Sequence, residues 1–289
     1  MPNEVSSGRT AVRTVGLLAG NGRLPVVFAQ AVRHRGWQLI ACGVTPDVEP
    51  ELAGAAHTYS AIPITHWGQV VEYFRAAGVA ELVLLGKVPK ATMFERTDFD
   101  ARCLAVLARL REKNDDALIL AFVADLAAEG IQVVDQTALL PELLPGAGPL
   151  SQRGPTAGEA ADIEYGFRIA KSIAGLDIGQ TVIVKSGAVI AIEAIEGTDA
   201  AIARAGTLAG AGAVVVKVAK PNQDVRFDVP TIGLETLESA RRAGVTAIAF
   251  EALRTLVVDP EQVAAVADEI GLCLVGTRDG RPPYTSEVG

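Results

Sequence analysis

The stretch VGLLAGNGRLP, from Val15 to Pro25, joins a short apolar run to a turn with two glycines and then a proline. We predict a buried strand over Thr14 to Leu18. We predict a helix over Leu24 to Arg35, with Pro25 in its first turn, where a backbone amide would have no helical partner anyway. A strand, a glycine turn and a helix place backbone amides at a helix N-terminus, an arrangement that suits a phosphate.

The turn itself, Gly20-Asn21-Gly22, leaves several interpretations open. A dinucleotide fingerprint needs a third glycine, where this chain has Pro25, and an acidic residue about 20 positions further on. The nearest acid after the second predicted strand is Asp47, which lies beyond Pro46. Three interpretations stay open: a contact to a phosphate or a sugar, the NAD(P) site of an oxidoreductase, and a tight turn without a ligand.

Strand-like and helix-like runs alternate along the first half of the chain, which predicts a Rossmann-like parallel sheet covered on both faces. In the second half, TVIVKSGAVIAIEA places two β-rich segments around Ser186-Gly187, a hairpin signal that predicts a mixed sheet. The fold class is therefore α/β with two domains. The predicted boundaries are an N-terminal extension over 1–13, a Rossmann-like substrate-binding domain over 14–138, a Pro- and Gly-rich linker over 139–156, a catalytic domain over 157–277 and a loose tail over 278–289.

The charge and composition exclude some classes of function. The net charge is −8, from 26 Lys and Arg against 34 Asp and Glu, and no basic run is long, so we expect no nucleic-acid partner. The N-terminus has no apolar signal-peptide core, and the longest apolar window, Ala117 to Ala128, is too short to span a bilayer. The three cysteines lack the spacing of a metal site or a disulfide framework. These features favour a cytoplasmic protein.

Charged side chains interrupt the apolar runs at three places. In EKNDDAL, residues Asn114 to Asp116 lie between two helical runs, where they are either a helix cap or a substrate contact. In AIEAIEGTDA, Glu196 and Asp199 flank a glycine at a predicted strand-to-helix turn. They are either a strand end with a helix cap or ligands of a hard cation such as Mg²⁺.

The third place is KVAKPNQDVRFDVPTIG, which follows a predicted buried strand. Its lysines, Lys217 and Lys220, would neutralise phosphate, and a carboxylate such as Asp228 would hold a metal ion or activate water. A solvated turn with the same residues is the alternative. The three histidines all lie in the first half without metal spacing, and we interpret them as structural.

The chain resembles the UDP-2,3-diacylglucosamine pyrophosphatases of the LpxI type in GLLAGNGRLP, KNDDALI, LDIGQTVIVKSGAVIAIEAIEGTDA, KVAKPNQDVRFDVPTIG and GLCLVG. The pairing of EGTD with KPNQDVRFDVPTIG is the specific part. The resemblance implies a metal-dependent hydrolase of lipid A biosynthesis, at the cytoplasmic face of the inner membrane. Its products would be UMP and 2,3-diacylglucosamine 1-phosphate (lipid X). The resemblance also places the family's essential aspartate on Asp228.

The resulting hypothesis gives each candidate residue a role. The candidate catalytic residues are Asp228, Glu196, Asp199, Lys217 and Lys220. The candidate ligands of Mg²⁺ or Mn²⁺ are Asp228, Glu196 and Asp199. The candidate substrate contacts are Gly20, Asn21, Gly22, Asn114, Asp115, Asp116, Thr198, Gln223 and Thr231.

The same hypothesis includes partners and alternatives. We expect a UDP-linked acylated glucosamine as substrate, a homodimer, and a peripheral contact with the inner membrane. The alternatives are an NAD(P)-dependent oxidoreductase and a non-catalytic protein that binds a UDP-sugar lipid.

Overall fold

The structure is a computed structural model that describes residues 12–88, 98–110 and 115–282, with the backbone alone for residues 115 and 116. The chain divides into two compact units, Met1–Gln136 and Thr137–Gly289. Each unit contains its own sheet, one parallel and one mixed. The predicted two-domain α/β fold is therefore confirmed.

The first unit is built around one five-stranded sheet. Its strands are β1 (Thr14–Ala19), β2 (Gln38–Gly43), β3 (Thr58–Ala61), β4 (Glu81–Leu85) and β5 (Gln132–Val133). The helices described in this unit are α1 (Leu24–His34), α2 (Glu51–Ala55), α3 (Trp67–Ala76), α4 (Ala101–Leu107) and α5 (Asp115–Ala128). The strand order is β3-β2-β1-β4-β5, and neighbouring strands are parallel. This is the predicted Rossmann-like sheet.

Strand β1 lies at the centre of that sheet because its side chains are apolar on both faces. Residues Val15 to Ala19 are all buried, and β1 pairs with β2 on one side and β4 on the other. Helix α1 follows directly and buries Val26, Phe28 and Val32. A parallel strand without a polar face has to be covered by helices on both sides, which explains the alternating pattern of the sequence.

The second unit contains a six-stranded sheet and a separate pair of short strands. Its strands are β6 (Gly148–Pro149), β7 (Thr181–Lys185), β8 (Ala188–Ile192), β9 (Val214–Lys217), β10 (Thr231–Ile232), β11 (Ala247–Glu251), β12 (Leu256–Val257) and β13 (Cys273–Thr277). A short helix, α6 (Gln136–Leu139), crosses the boundary between the units, and a 3₁₀ turn covers Pro141–Leu143. The longer helices are α7 (Ala157–Gly175), α8 (Thr198–Ala209), α9 (Leu234–Ala243) and α10 (Pro260–Glu269).

The main sheet of the second unit is mixed, with the order β6-β13-β11-β9-β7-β8. Strands β9, β11 and β13 are parallel to one another, whereas β7 is antiparallel to both β9 and β8, and β6 is antiparallel to β13. Strands β10 and β12 form the separate pair. Among the helices that the structure describes in either unit, none is long and apolar enough to cross a membrane.

The β7–β8 hairpin turns at Ser186 and Gly187, as predicted. Both residues have a positive φ, 51° and 76°, which two-residue hairpin turns require. The buried carboxylate of Asp162, on α7, accepts hydrogen bonds from both backbone amides, at 2.8 Å from Ser186 and 2.7 Å from Gly187. Asp162 thus fixes the turn of the hairpin to α7.

The segment 139–156 contributes an edge strand to the second sheet, although its composition predicts a linker. In β6, Pro149 is opposite Val275 and Gly148 is opposite Gly276. The amide of Leu150 donates to the carbonyl of Leu274 at 2.8 Å. Proline is tolerated in an edge strand because one side of that strand forms no ladder. The proline and glycine residues here therefore mark a sheet edge.

Candidate active site

Four segments of the second unit meet at one edge of its main sheet. Strands β9 and β11 end at this edge with Lys217 and Glu251, and β7 begins there, because Thr181 is the register partner of Lys217. The carboxyl ends of parallel strands are the usual location of ligand sites in α/β sheets. We call the side chains of residues 177–181, 193–199, 217–228 and 251–254 the sheet-edge cluster.

Asp228 lies in this cluster with both carboxylate oxygens bound. Its Oδ2 is 2.7 Å from Lys220 Nζ, and its Oδ1 accepts a hydrogen bond from Gln180 Nε2 at 3.2 Å. Lys220 Nζ is also 2.6 Å from Asp177 Oδ1. The Asp228 side chain is 28% exposed, so it is accessible without pointing into bulk solvent. Two of the predicted catalytic residues, Asp228 and Lys220, are therefore in direct contact.

Lys217 forms a second group with Thr198 and Glu193. Lys217 is buried, and its Nζ donates to Thr198 Oγ1 at 2.9 Å. Thr198 Oγ1 donates in turn to Glu193 Oε1 at 2.9 Å. Thr198 is the first residue of α8 and follows Gly197, whose φ is 83°. A buried ammonium group thus lies beside the N-terminus of a helix, where the helix dipole favours negative charge.

The backbone joins the two groups. The amide of Val218 donates to the carbonyl of Gln180, and the amide of Glu193 to the carbonyl of Thr181, each at 2.9 Å. A Cβ on Gly179 would lie 2.1 Å from the Glu193 carbonyl oxygen, so only glycine fits there. The segments around Asp228 and Lys217 are therefore neighbours in one site.

The cluster also contains buried polar atoms without a hydrogen-bond partner. Within the described ranges, six buried side-chain atoms are in this state. Four of them belong to the cluster: Gln180 Oε1, Glu193 Oε2, Asp199 Oδ1 and Gln223 Nε2. Each such atom costs about 1–3 kcal/mol of stability. Their concentration at one sheet edge indicates a place that is built to bind something.

The carboxylate of Glu196 pairs with Arg204, whereas the sequence predicts a metal ion as its partner. Its Oε1 is 2.6 Å from Arg204 Nη2, and its Oε2 accepts from the amide of Ala194 at 3.1 Å. Its own amide and the Arg204 guanidinium lower the pKa of Glu196. Arg204 lies on α8, directly after the turn that carries Glu196, so it reaches this carboxylate easily.

The predicted metal ligands are therefore not assembled as a ready-made site. Within residues 12–88, 98–110 and 117–282, no group of three or more His, Cys, Asp or Glu side chains could hold a metal ion. The carboxylates of Asp228, Glu196 and Asp199 form no such group among those residues, and their role as metal ligands stays a prediction. The Asp228 carboxylate is bound by Lys220 and Gln180, and Glu196 is bound by Arg204.

An ion pair braces the loop that carries Asp228. Arg226 Nε and Nη2 donate to the Asp224 carboxylate at 2.9 and 2.6 Å, which lowers the pKa of Asp224 and raises that of Arg226. The amide of Asp228 donates to the Asp224 carbonyl at 3.0 Å. The charged residues of this loop thus fix its turn and leave Asp228 oriented toward the cluster.

The two predicted substrate contacts of the same region differ in their surroundings. Gln223 Oε1 accepts from the amide of Lys220 at 2.7 Å, whereas its Nε2 is one of the unpartnered atoms. Thr231 Oγ1 donates to the carbonyl of Val229 at 3.1 Å and lies on β10. Gln223 therefore has a donor left for a ligand, whereas the hydroxyl of Thr231 is used in a local hydrogen bond to the backbone.

Several polar groups of the glycine turn in the first unit are hydrogen-bonded to other parts of that unit. The amide of Gly20 donates to the Leu85 carbonyl at 2.8 Å, and Asn21 and Lys87 exchange two backbone hydrogen bonds of 2.8 and 2.9 Å. Asn21 Oδ1 accepts from the hydroxyl of Thr45. The first two amides of this turn are thus already bonded to the protein, and a substrate contact by Gly20, Asn21 or Gly22 stays a prediction. Gly22 has a φ of 101°, a conformation that favours glycine.

The other predicted contacts of the first unit are only partly described. Asn114 lies outside the described residues. Asp115 begins helix α5, and the side chains of Asp115 and Asp116 also lie outside the description. Their role stays a prediction.

Two family models match this chain: the LpxI N-terminal domain over residues 14–143 and the LpxI C-terminal domain over residues 146–275. The chain belongs to the LpxI family. It is 34% identical over 276 residues to UDP-2,3-diacylglucosamine pyrophosphatase LpxI of Caulobacter vibrioides, covering 92% of this chain and 98% of that protein. The predicted family is confirmed, and the predicted enzyme class, a pyrophosphatase, is the one in this relative's name.

Solved structures overlap parts of this chain more weakly. An N5-carboxyaminoimidazole ribonucleotide synthetase in complex with ADP is 13% identical and covers 70% of this chain and 45% of that chain, with a TM-score of 0.26. Glycinamide-RNase-transformylase T from Mycobacterium tuberculosis is 14% identical and covers 63% and 44%, with a TM-score of 0.24. TM-scores this low do not indicate a shared arrangement.

Several residues of the cluster are absent from the sequence-based hypothesis: Asp177, Gln180, Glu193, Glu251 and Arg254. Their common signal is position, since each lies within a few residues of the start or the end of a strand. Gln180 directly precedes β7, Glu193 directly follows β8, and Glu251 ends the otherwise apolar run AIAFE. A polar residue that ends a buried strand at the carboxyl edge of a parallel sheet is a candidate site residue.

Proposed function

We propose that this chain hydrolyses the pyrophosphate bond of UDP-2,3-diacylglucosamine, giving UMP and 2,3-diacylglucosamine 1-phosphate. One observation carries the proposal: the chain is 34% identical, over 92% of its own length and 98% of the relative's, to a protein named UDP-2,3-diacylglucosamine pyrophosphatase. The sheet-edge cluster supports it, because two lysine ammonium groups beside carboxylates and a helix N-terminus suit a diphosphate.

In this proposal, the charged residues of the cluster bind the diphosphate and activate the water. Lys217 and Lys220 neutralise charge on the diphosphate oxygens as the bond breaks. Asp228 orients the attacking water and accepts its proton. The contact of Asp228 with Lys220, at 2.7 Å, keeps this base beside the cation that binds the phosphate. Gln180, which donates to the other oxygen of Asp228, fixes the rotation of the carboxylate.

A divalent cation, Mg²⁺ or Mn²⁺, is part of the proposal in a restricted form. The described residues do not chelate a metal by themselves, but Asp199 Oδ1 and Glu193 Oε2 are buried oxygen atoms without a partner. Magnesium is commonly held by one or two carboxylates together with substrate phosphates and waters. Asp228 and Asp199 would hold such an ion with the substrate. It would supply Lewis-acid stabilisation of the phosphoryl oxygens.

The test is hydrolysis of UDP-2,3-diacylglucosamine in ¹⁸O-water with Mg²⁺, Mn²⁺ or a chelator. We expect UMP and the acylated sugar phosphate in equal amounts, with one ¹⁸O atom in one of them, and loss of product with the chelator. The labelled product identifies the phosphorus that water attacks.

Two results would overturn parts of this proposal. Binding of the substrate without release of UMP under any metal condition would make the chain a binding protein. Full turnover in the presence of chelator would reject only the metal dependence and leave the proposed hydrolysis in place. Location in the cytoplasm, contact with the inner membrane and a homodimer stay predictions.

A further inference from the structure

A group of three charges outside the proposed chemistry, built around the buried carboxylate of Glu251, contacts the loop that carries Lys220 and Asp228. Glu251, at the end of β11, is 6% exposed. Its carboxylate oxygens lie 3.1 and 2.9 Å from Nζ of Lys171, on α7. Its Oε1 is also 3.4 Å from Arg254 Nη1. This group has two cations and one anion, and all three side chains point at the same piece of backbone.

That backbone, at Ala219 and Lys220, is the start of the loop that carries Asp228. Glu251 Oε2 accepts from the amide of Ala219 at 2.9 Å, and Lys171 Nζ donates to the carbonyl of Ala219 at 2.8 Å. Arg254 Nη2 donates to the carbonyl of Lys220 at 2.9 Å. The peptide groups on both sides of the Lys220 Cα are therefore fixed by charged side chains from two other elements. Hydrogen bonds to charged groups are stronger than those between neutral groups.

The Lys220 side chain then links this backbone to Asp228. Its Nζ lies between Asp177 and Asp228, at 2.6 and 2.7 Å. A shift of the Lys220 backbone would move the ammonium group by a similar distance, and an error of about 1 Å in a reacting group can cost about 100-fold in rate.

We infer that Glu251, together with Lys171, is a positioning residue that holds Lys220 in register with Asp228. This inference rests on the proposed function for its effect on turnover. Its structural part, the fixing of the loop, stands on the contacts alone.

The test uses a paired variant, because removing Glu251 alone would leave the partly buried Lys171 without its anion. The variant Lys171→Met with Glu251→Gln removes both charges, and exchange of a whole buried pair is often close to neutral for stability. The matched control is Arg153→Met with Glu159→Gln. This pair is also partly buried in the second unit, with two N–H···O contacts of 2.8 Å, and it lies outside the sheet-edge cluster.

Turnover should separate the two paired variants. We expect kcat of the Lys171/Glu251 variant to fall about 10- to 100-fold with KM changed less than about threefold, since an interaction that orients the catalytic groups is lost. The control should keep kcat within about twofold for its folded fraction. Wild-type kcat in the Lys171/Glu251 variant would overturn the inference.

A double-mutant cycle tests whether the effect passes through Lys220. Lys220→Met alone should lower kcat by about 30-fold or more, but should cost less than about fivefold when added to the Lys171/Glu251 variant, because coupled residues are not additive. Full additivity would show that Glu251 acts elsewhere, and the inference would be wrong.

Amide hydrogen exchange separates this inference from the proposed function. In the Lys171/Glu251 variant, exchange over residues 219–228 should be at least about tenfold faster than in wild type, with no change in the control pair. Unchanged exchange would reject the positioning role. If the wild type releases no UMP, the proposed function fails, and the exchange result still judges whether Glu251 fixes the loop.

Discussion

The glycine turn of the first unit and the sheet-edge cluster of the second unit both follow the carboxyl ends of parallel strands, yet they use their polar groups differently. In the turn, the amides of Gly20 and Asn21 and the side-chain oxygen of Asn21 all have protein partners. In the cluster, four buried polar atoms have none. Because a site must leave donors and acceptors for its ligand, the contrast favours the second unit as the location of the chemistry.

This contrast teaches that a glycine turn after a strand is ambiguous by itself. The turn approaches the end of β4 so closely that a Cβ on Gly20 would lie 2.4 Å from the Lys87 carbonyl oxygen. The first glycine is thus explained by backbone packing alone. In the cluster, by contrast, buried charges beside unpartnered atoms cost stability, and a function is the simplest reason to retain them.

The largest expected effect is that of Asp228→Ala. We expect turnover to fall by at least about 1,000-fold, a loss of about 4 kcal/mol of transition-state stabilisation, because the substitution removes the proposed base. Circular dichroism and substrate binding should stay near wild type. Asp47→Ala, an exposed acid of the first unit, is the control for UMP release. Near-normal turnover of the Asp228 variant would remove the chemistry from the cluster.

Lys217→Met should have the next largest effect, a decrease in kcat of about 100-fold from the loss of a cation beside the phosphates. Lys185→Met is the matched control, since Lys185 Nζ donates to the carbonyls of Ala209 and Ala211 and has only a structural task. Steady-state kinetics and urea unfolding of both variants separate the roles. If the Lys217 variant keeps its kcat and only its free energy of unfolding falls, the role of Lys217 is structural.

Gly20→Ala tests the other side of the comparison. The new methyl group would collide with the Lys87 carbonyl, so we expect unfolding free energy to fall by about 2 kcal/mol while kcat of the folded fraction is retained. Gly54→Ala is the control, because Gly54 lies in helix α2 with open space around its Cα, and alanine there should stabilise the helix by up to about 1 kcal/mol. A turn that binds phosphate would instead show a large rise in KM.

The smallest expected effect is that of Glu196→Gln. The partner of Glu196 is Arg204, in an ion pair that is 46% exposed on the arginine side, and such pairs contribute little. We expect kcat and the metal dependence to change less than about threefold. A decrease of 100-fold, or a higher metal requirement, would return Glu196 to the metal site that the sequence predicted.

Much of the fold could be predicted because its signals are local. The apolar β1 run, the helix that starts near Pro25 and the Ser186-Gly187 turn each lie within a few residues of sequence. The edge strand Gly148–Pro149 was missed, since two residues have no period and its partner, β13, lies more than 120 positions away.

The residues of the candidate site also divide into those that the sequence predicts and those that only the structure reveals. Asp228, Lys217 and Lys220 stand out in one loop of the sequence, and the structure brings them to one edge. Gln180, Glu193 and Glu251 join them only through the register of β7, β8 and β11, which the sequence does not reveal. The ion pair of Glu196 with Arg204 is likewise hidden from the sequence, because the reach of Arg204 depends on where helix α8 begins.

Strand β6 has one more consequence, for the second unit taken alone. It covers the outer edge of β13, with the amide of Leu150 on the Leu274 carbonyl and the hydroxyl of Ser151 accepting from the Leu274 amide at 2.7 Å. A fragment that starts at Ala157 would leave that edge as a template for other chains to add to. A fragment that starts before Gly146 retains β6, which pairs with that edge. The stretch of chain between the two sheets therefore also protects the protein against aggregation.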